Sequence, residues 1–231
     1  MPDDSPGNVL VTGGASGLGA AVVRAVLDAG GRPVVLDLRH PLAGGVDHEL
    51  VDLADGRAAE QAVRTLAERS GGLDAVVTAA GTDACGVLSD VPAEVWEKVI
   101  AVNLLGTAAV VRAALPFLER SGGKVVTVAS TLGLRALSDA TAYSASKFGV
   151  VGFTRALTLE LAGRVGVTLL IPGGMQTAFF DERDPQYKPG PDAKLNRPQD
   201  VAGAVLFALR QPPGCEVREL VITPSTEPSW P

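Results

Sequence analysis

Tyr143 and Lys147 stand four positions apart in Y-S-A-S-K, with Ser144, Ala145 and Ser146 between them. On a helix that spacing puts phenol and ammonium on one face, and the small intervening residues leave the face open. A phenol has a reference pKa of about 10, so near neutrality it is a poor base. Lowering it by about three units takes about 4 kcal/mol. One ammonium about 4 Å away supplies about that much at an effective dielectric near 20. A phenol tuned in this way can take a proton from an alcohol or return one to a carbonyl. Y-x-x-x-K alone is weak, because many helices carry such a pair on their surface for a fraction of a kcal/mol.

Three companions strengthen it. Ser130 ends an apolar run, and its hydroxyl can bond the same substrate oxygen. Asn103, in A-V-N-L-L-G, is an amide among apolar neighbours and needs a partner; it can fix a water that relays protons through Lys147. P-G-G-M-Q-T (172–177) follows another apolar run, and its backbone and Thr177 can hold the carboxamide or phosphates of a nicotinamide cofactor. Such a cofactor would carry the hydride.

These residues need a scaffold, and the chain supplies one pattern throughout. Strand signals at 8–13, 33–38, 48–53, 73–81, 122–130, 167–174 and 217–223 alternate with helical spacing at 17–29, 55–69, 92–120, 141–162 and 198–210. The longest helix is expected to kink or end near Pro116. Most strand candidates are continuous apolar runs, the signature of a parallel sheet covered on both faces. The expected fold is an α/β, three-layer, Rossmann-type doubly wound sheet forming a single domain over 1–231. In such folds ligands sit beyond the carboxyl ends of the strands, where every unusual motif here falls. T-G-G-A-S-G-L-G (12–19) joins the first strand to the first helix. Gly13 suits a tight turn, Gly17 close approach of a pyrophosphate and Gly19 close helix–strand packing, while the helix N-terminus faces the phosphates. The spacing is G-x-x-x-G-x-G rather than the general G-x-G-x-x-G. Asp37, ending the second strand, can accept both adenosine ribose hydroxyls and repel a 2′-phosphate. This favours NAD over NADP, with Arg39, read as a solvated loop residue, the counter-argument. Asp52 can accept from the adenine amino group or simply cap a turn.

Taken together the set resembles the short-chain dehydrogenase/reductase family, in its compact single-domain branch, over nearly the whole chain. The resemblance rests on the 12–19 turn, Asp37, Asp52, Trp96 with V-N-L-L-G (102–106), Ser130, Tyr143 to Lys147 and Pro172-Gly173. It implies an NAD(P)-linked alcohol/ketone oxidoreductase with a catalytic tetrad of Asn103, Ser130, Tyr143 and Lys147, in which Lys147 also bonds the nicotinamide ribose. It further implies a cofactor cleft lined by Ala15, Ser16, Leu18, Leu53, Ala79, Ala80, Gly81, Pro172, Gly173 and Thr177. Two departures stand out. The family's N-N-A-G is T78-A-A-G81 here, where Thr78 can still hydrogen-bond. The chain also ends in V-I-T-P-S-T-E-P-S-W-P rather than a glycine-rich strand.

Candidate substrate walls are 82–88, 131–137 and 178–182 with the segment that follows. Leu132, Leu134, Leu137, Met175, Phe179 and Phe180 suggest an apolar or alicyclic alcohol or ketone; 177–198 suggests a substrate loop, of which 181–198 is able to close as a lid. Arg135 or Arg183 could meet an acidic group, but the commoner case, a solvated arginine, is the expectation. A catalytically silent NAD(H)-sensing protein would be expected to lose Tyr143 or Lys147. A nucleotide-sugar epimerase or dehydratase would need a larger segment after Gly173. Net charge of −6 without a Lys/Arg block argues against nucleic acid. Cys85 and Cys215 lie far apart and His40 and His48 lack a ligand set, so reduced thiols, no metal and solvated histidines are expected. An acidic, polar N-terminus and no recognised bilayer-length apolar run point to a cytoplasmic protein without membrane contact. Association into a homodimer or homotetramer is expected through 92–120 and 141–162, with Leu104, Val110, Val151 and Phe153 as candidate outward residues, some of which must face the sheet instead.

Overall fold

Val9, Leu10 and Val11 are fully buried, and so are Val34, Val35, Leu36, Val76 and Val77. Strands this apolar on both faces need cover on both sides. The computed structural model describes residues 5–227 and supplies that cover. β1 (Asn8–Thr12), β2 (Arg32–Asp37), β3 (Asp47–Leu50), β4 (Ala75–Thr78), β5 (Lys124–Val128), β6 (Gly166–Pro172) and β7 (Glu219–Ile222) form one sheet in the order β3-β2-β1-β4-β5-β6-β7. Every pairing is parallel. On one face α1 (Gly17–Asp28) and α6 (Pro198–Leu209) pack through Leu18, Val22, Val26, Val201 and Val205. On the other, α2 (Gly56–Ser70), α4 (Thr107–Ser121) and α5 (Thr141–Glu160) bring Val63, Leu66, Val110, Leu118 and Leu157. The fold is the doubly wound single domain that the strand pattern predicts.

Strand order reverses between β1 and β4, which opens a crevice over their carboxyl ends. Gly13 lies directly in it. Its φ of 70° is left-handed, and a Cβ there would strike the backbone of Ala79 and Ala80. A Cβ on Gly19 would run into the Gly13 carbonyl, so α1 approaches β1 more closely than any side chain allows.

The long helix differs from expectation. It runs continuously from Ala93 to Ser121, as α3 (Ala93–Ile100), a π-helical turn (Ala101–Gly106) and α4, and Pro116 lies inside α4 without ending it. By length and apolar composition it passes the test for a membrane span, contrary to the sequence reading. Half of its most apolar window is buried in protein, which is the situation of a core helix. The four candidate partner-facing residues all turn inward: Val110 and Val151 are buried, and Leu104 and Phe153 pack on the core. Val95, Leu105, Phe148 and Leu159 are the exposed apolar residues of these helices.

Candidate active site

The carboxyl ends of β1, β4, β5 and β6 each deliver one part of the site. From β1 comes the glycine turn. Ser16 precedes α1 without a side-chain cap, and the first turn of α1 carries no acidic residue. Its leading N–H groups therefore stay available to an anion, as a phosphate site needs. Gly17, with φ 53°, turns toward Thr177, whose methyl would meet a Cβ placed there. Leu18 is core, and Ala15 donates its N–H to Asp37 Oδ2 at 2.9 Å. Asp37 Oδ1 accepts from Arg39 N–H at 3.0 Å. Arg39 is not simply solvated: its guanidinium reaches back to the Ser16 hydroxyl at 3.1 Å. Asp52 forms a turn, accepting from Ala54 N–H at 2.9 Å, with Lys98 at 3.9 Å. Leu53 spends its side chain in the core.

From β4 comes T78-A-A-G81. Ala80 N–H donates to Thr12 Oγ1 at 3.1 Å, which ties this loop to the glycine turn. Thr78 is buried and its hydroxyl has no partner, so it does not make the bond expected of it. A Cβ on Gly81 would come within 3.5 Å of Asn103 Oδ1 and 3.8 Å of Lys147 Nζ. Gly81 is thus the point where the loop meets Asn103 and Lys147.

Asn103 sits in the π-helical turn with 1% of its surface exposed. Its amide accepts from Thr82 N–H at 2.8 Å and donates to Thr82 C=O at 2.9 Å and to Ser146 Oγ at 3.0 Å. These bonds occupy the side chain that sequence reasoning assigned to a relay water, and make Asn103 a clamp on the β4 loop. Ser146 was read only as a small spacer; it also donates to the Tyr143 carbonyl at 2.7 Å and so joins the clamp to the tyrosine helix. Thr12, Thr82 and Ser146 are functional supports that no local spacing announces.

Tyr143 and Lys147 lie in the first two turns of α5. The Ser130 hydroxyl, just beyond β5, hydrogen-bonds the phenol and accepts from Leu132 N–H at 3.2 Å. Lys147 Nζ donates to the Val128 carbonyl at 2.9 Å and lies 5.6 Å from the phenol ring centre. Burial pushes the Tyr143 phenol up to about 12, against the Ser130 hydrogen bond, while Asp83 raises it further and Arg183 opposes. Burial likewise draws Lys147 down to about 8, with Asp83 acting the other way. The shift is opposite to the lowering expected from the sequence: loss of solvent outweighs the Ser130 hydrogen bond.

From β6, Pro172 is paired in the strand, and Gly173 N–H donates to Ile222 C=O at 2.9 Å. Glu227 covers the Cβ side of Gly173 and accepts from Gly174 N–H at 3.1 Å. Residues 1–4 and 228–231, which include the first part of the polar N-terminus and the last of the tail, lie outside the described residues. Thr177 Oγ1 accepts from Phe179 N–H at 3.3 Å, starting the excursion that follows. Phe179 packs 5.8 Å from Tyr143 between ring centres. Arg183 is paired with Asp83, not solvated as expected. The wall facing Tyr143 is therefore not purely apolar, and Leu134 and Met175 pack on the core clusters instead. A groove of about 450 Å³ runs between α1 and α6 past Gly17 and Thr177. It contains neither Tyr143 nor Lys147 and flanks the glycine turn from outside.

Both cysteines are free, and burial beside Asp83 pushes the Cys85 thiol up to about 11. His40 Nδ1 and His48 Nε2 meet at 2.7 Å. No group of three metal-ligating side chains occurs among the described residues.

The glycine cradle, the uncapped helix start, the Asp37 carboxylate and the Ser130–Tyr143–Lys147 cluster are parts a dinucleotide-dependent oxidoreductase requires. Comparison with known proteins agrees: the short chain dehydrogenase family model matches residues 7–188, and the chain belongs to that family. It is 33% identical over 226 residues to an uncharacterized oxidoreductase of Staphylococcus aureus strain MW2, covering 93% of this chain and 96% of that one. It is 31% identical to an L-fucose dehydrogenase of Mus musculus, covering 95% and 88% respectively. Among solved structures, the alcohol dehydrogenase of the archaeon Thermococcus sibiricus complexed with 5-hydroxy-NADP superposes with a TM-score of 0.81 at 25% identity, covering 93% of this chain and 95% of that one.

Proposed function

We propose that this oxidoreductase interconverts a secondary alcohol and a ketone, with Tyr143 as general acid/base and NAD as the favoured cofactor. The observation that carries the reading is the convergence of Ser130, Tyr143 and Lys147 beside Gly81, at the crevice where the glycine turn offers free N–H groups. A bound nicotinamide dinucleotide would supply hydride transfer and, when oxidised, a further positive charge. The chain's own residues do the rest. Ser130 and Tyr143 hold the substrate oxygen between two hydroxyls, and Tyr143 moves the proton. Lys147, fixed by the Val128 carbonyl, is in place to bond the cofactor ribose and to stabilise negative charge on the phenol. Asn103 keeps the β4 loop in register with α5.

The names of the two dehydrogenase relatives support an alcohol as substrate. Preference for NAD is supported by the Asp37 carboxylate at the end of β2, which opposes a 2′-phosphate. Arg39, held on Ser16, would welcome a 2′-phosphate. The test is a panel of secondary alcohols and ketones with NAD(H) and NADP(H), followed at the nicotinamide absorbance band. Tyr143→Phe is expected to cut kcat by about 10²–10⁴ while cofactor affinity stays within a few-fold. Full turnover in this variant would remove Tyr143 from the mechanism. Asp37→Ala is expected to weaken NAD about tenfold, the equivalent of one charge-assisted hydrogen-bond contact, and to narrow the gap to NADP. An unchanged NAD/NADP ratio would overturn the cofactor preference.

A further inference from the structure

Asp83 and Arg183 form an ion pair next to Tyr143 for which the reaction chemistry has no use. Asp83 follows Gly81 by two residues; Arg183 comes from the excursion after β6. Their side chains are 7% and 19% exposed. The guanidinium lies over Phe180 at 4.6 Å and Phe179 at 5.3 Å, and Nη1 donates to the Tyr187 carbonyl at 3.3 Å. Asp83 Oδ1 accepts from Ala84 N–H at 2.7 Å and Oδ2 from the Cys85 thiol at 3.2 Å as well as from Arg183. Arg183 Nε–H is buried and has no hydrogen-bond partner.

A buried pair of this kind is a poor stabiliser, because desolvation cancels most of its attraction, and apolar residues of similar size would hold the excursion as well. A buried donor without an acceptor is also unfavourable until something supplies one. A carboxylate accepts about four hydrogen bonds, and three donors already reach Asp83, so one position remains. The pair thus leaves one donor and one acceptor position unfilled, without net charge. The same Phe179 ring touches both Tyr143 and Arg183, so one aromatic ring links the phenol to the pair.

We infer that the Asp83–Arg183 pair is the subsite that reads the substrate, and that it selects a neutral polyol carrying a hydroxyl near the reacting carbon. This rests on the oxidoreductase reading above. A hydroxyl accepts from Arg183 and donates to Asp83 at once. A carboxylate gains the guanidinium but meets the Asp83 charge, and an ammonium meets the reverse. A simple alcohol leaves both groups unmatched, and sites built to hydrogen-bond a hydroxyl discriminate strongly against analogues that lack one. The Phe179 face suits the C–H surface of a ring.

The experiment compares kcat/KM for cyclohexanol, cis- and trans-1,2-cyclohexanediol and 2-hydroxycyclohexanecarboxylate, with NAD and with NADP. Wild-type protein is expected to prefer a diol over cyclohexanol by at least tenfold and to use the hydroxy acid no better than cyclohexanol. Asp83→Asn and Arg183→Met are each expected to lower the diol-to-alcohol ratio at least fivefold, with cofactor binding by fluorescence verifying an intact site. A wild-type ratio near one, a preference for the hydroxy acid, or a ratio unchanged in both folded variants overturns the inference while leaving the oxidoreductase reading in place. No turnover of any compound with either cofactor overturns both. The wild-type comparison decides without the variants should either fail to fold.

Discussion

Burial and the Ser130 hydrogen bond pull the Tyr143 proton in opposite directions, and burial prevails. The phenol is pushed up to about 12 and the neighbouring Lys147 is drawn down to about 8. The consequence can be measured without substrate. An unfolded chain keeps a lysine protonated through about pH 10.4, whereas the folded protein releases the Lys147 proton near 8. Between those values the unfolded state binds more protons, so stability rises with pH. Tyr143 has the opposite sign but acts only above about pH 10, where an unfolded tyrosine would ionise. Urea unfolding of wild type and Lys147→Met at pH 7.5 and 9.5 tests this. Wild type is expected to gain stability across the interval relative to the variant, and parallel behaviour would show that Lys147 titrates normally. Tyr143 and Lys147 are legible as a pair because helical spacing alone puts them on one face. Their proton affinities are not, because these depend on burial contributed by distant residues such as Phe179.

At the scale of elements, the clamp between the π-helical turn and the β4 loop is the least replaceable joint. Asn103→Ala strands the Thr82 N–H and C=O and removes one of the two bonds of the Ser146 hydroxyl. Each buried polar group left unmatched costs about 1–3 kcal/mol. The variant is expected to lose about 2–5 kcal/mol by denaturant unfolding and to lose turnover with it. Asn103→Asp, which keeps the acceptor for Thr82 N–H, should recover part of the stability. Equal stability of Asn103→Ala and wild type would mean that the loop holds its shape unaided. Element types and order were readable from apolar runs and helical spacing, and so was the parallel sheet. The ends were not. The strand expected over 73–81 stops at Thr78 and that over 122–130 at Val128, because Ala79, Ala80, Ala129 and Ser130 are small and continue the pattern while the backbone already turns into the site. The π-helical turn carries no compositional mark, since A-V-N-L-L-G reads as ordinary helix.

At the scale of the whole molecule, the two large core clusters share one sheet, with Leu10, Leu36 and Val76 on one face and Val9, Val35 and Val77 on the other. Neither layer can open without exposing the strands that support the other. Thermal unfolding is therefore expected as one cooperative transition. NAD at a hundredfold excess over its Kd should add about 2.7 kcal/mol, which raises Tm by roughly 5–10 °C for a chain of this size. Circular dichroism melts with and without NAD test this, and a melt in two steps would mean that the layers are independent.

The excursion after β6 is stapled at its root. Asn196 N–H donates to Gly174 C=O and Gln176 N–H to Asn196 C=O, both at 2.9 Å, and the Asn196 amide reaches the Ile222 carbonyl at 3.1 Å. Residues 178–195 therefore hang from a closed ring of bonds rather than from a free strand end. Evolution, or an engineer, can rewrite that stretch as an interchangeable cassette, altering what the enzyme admits while the nucleotide floor beneath stays level.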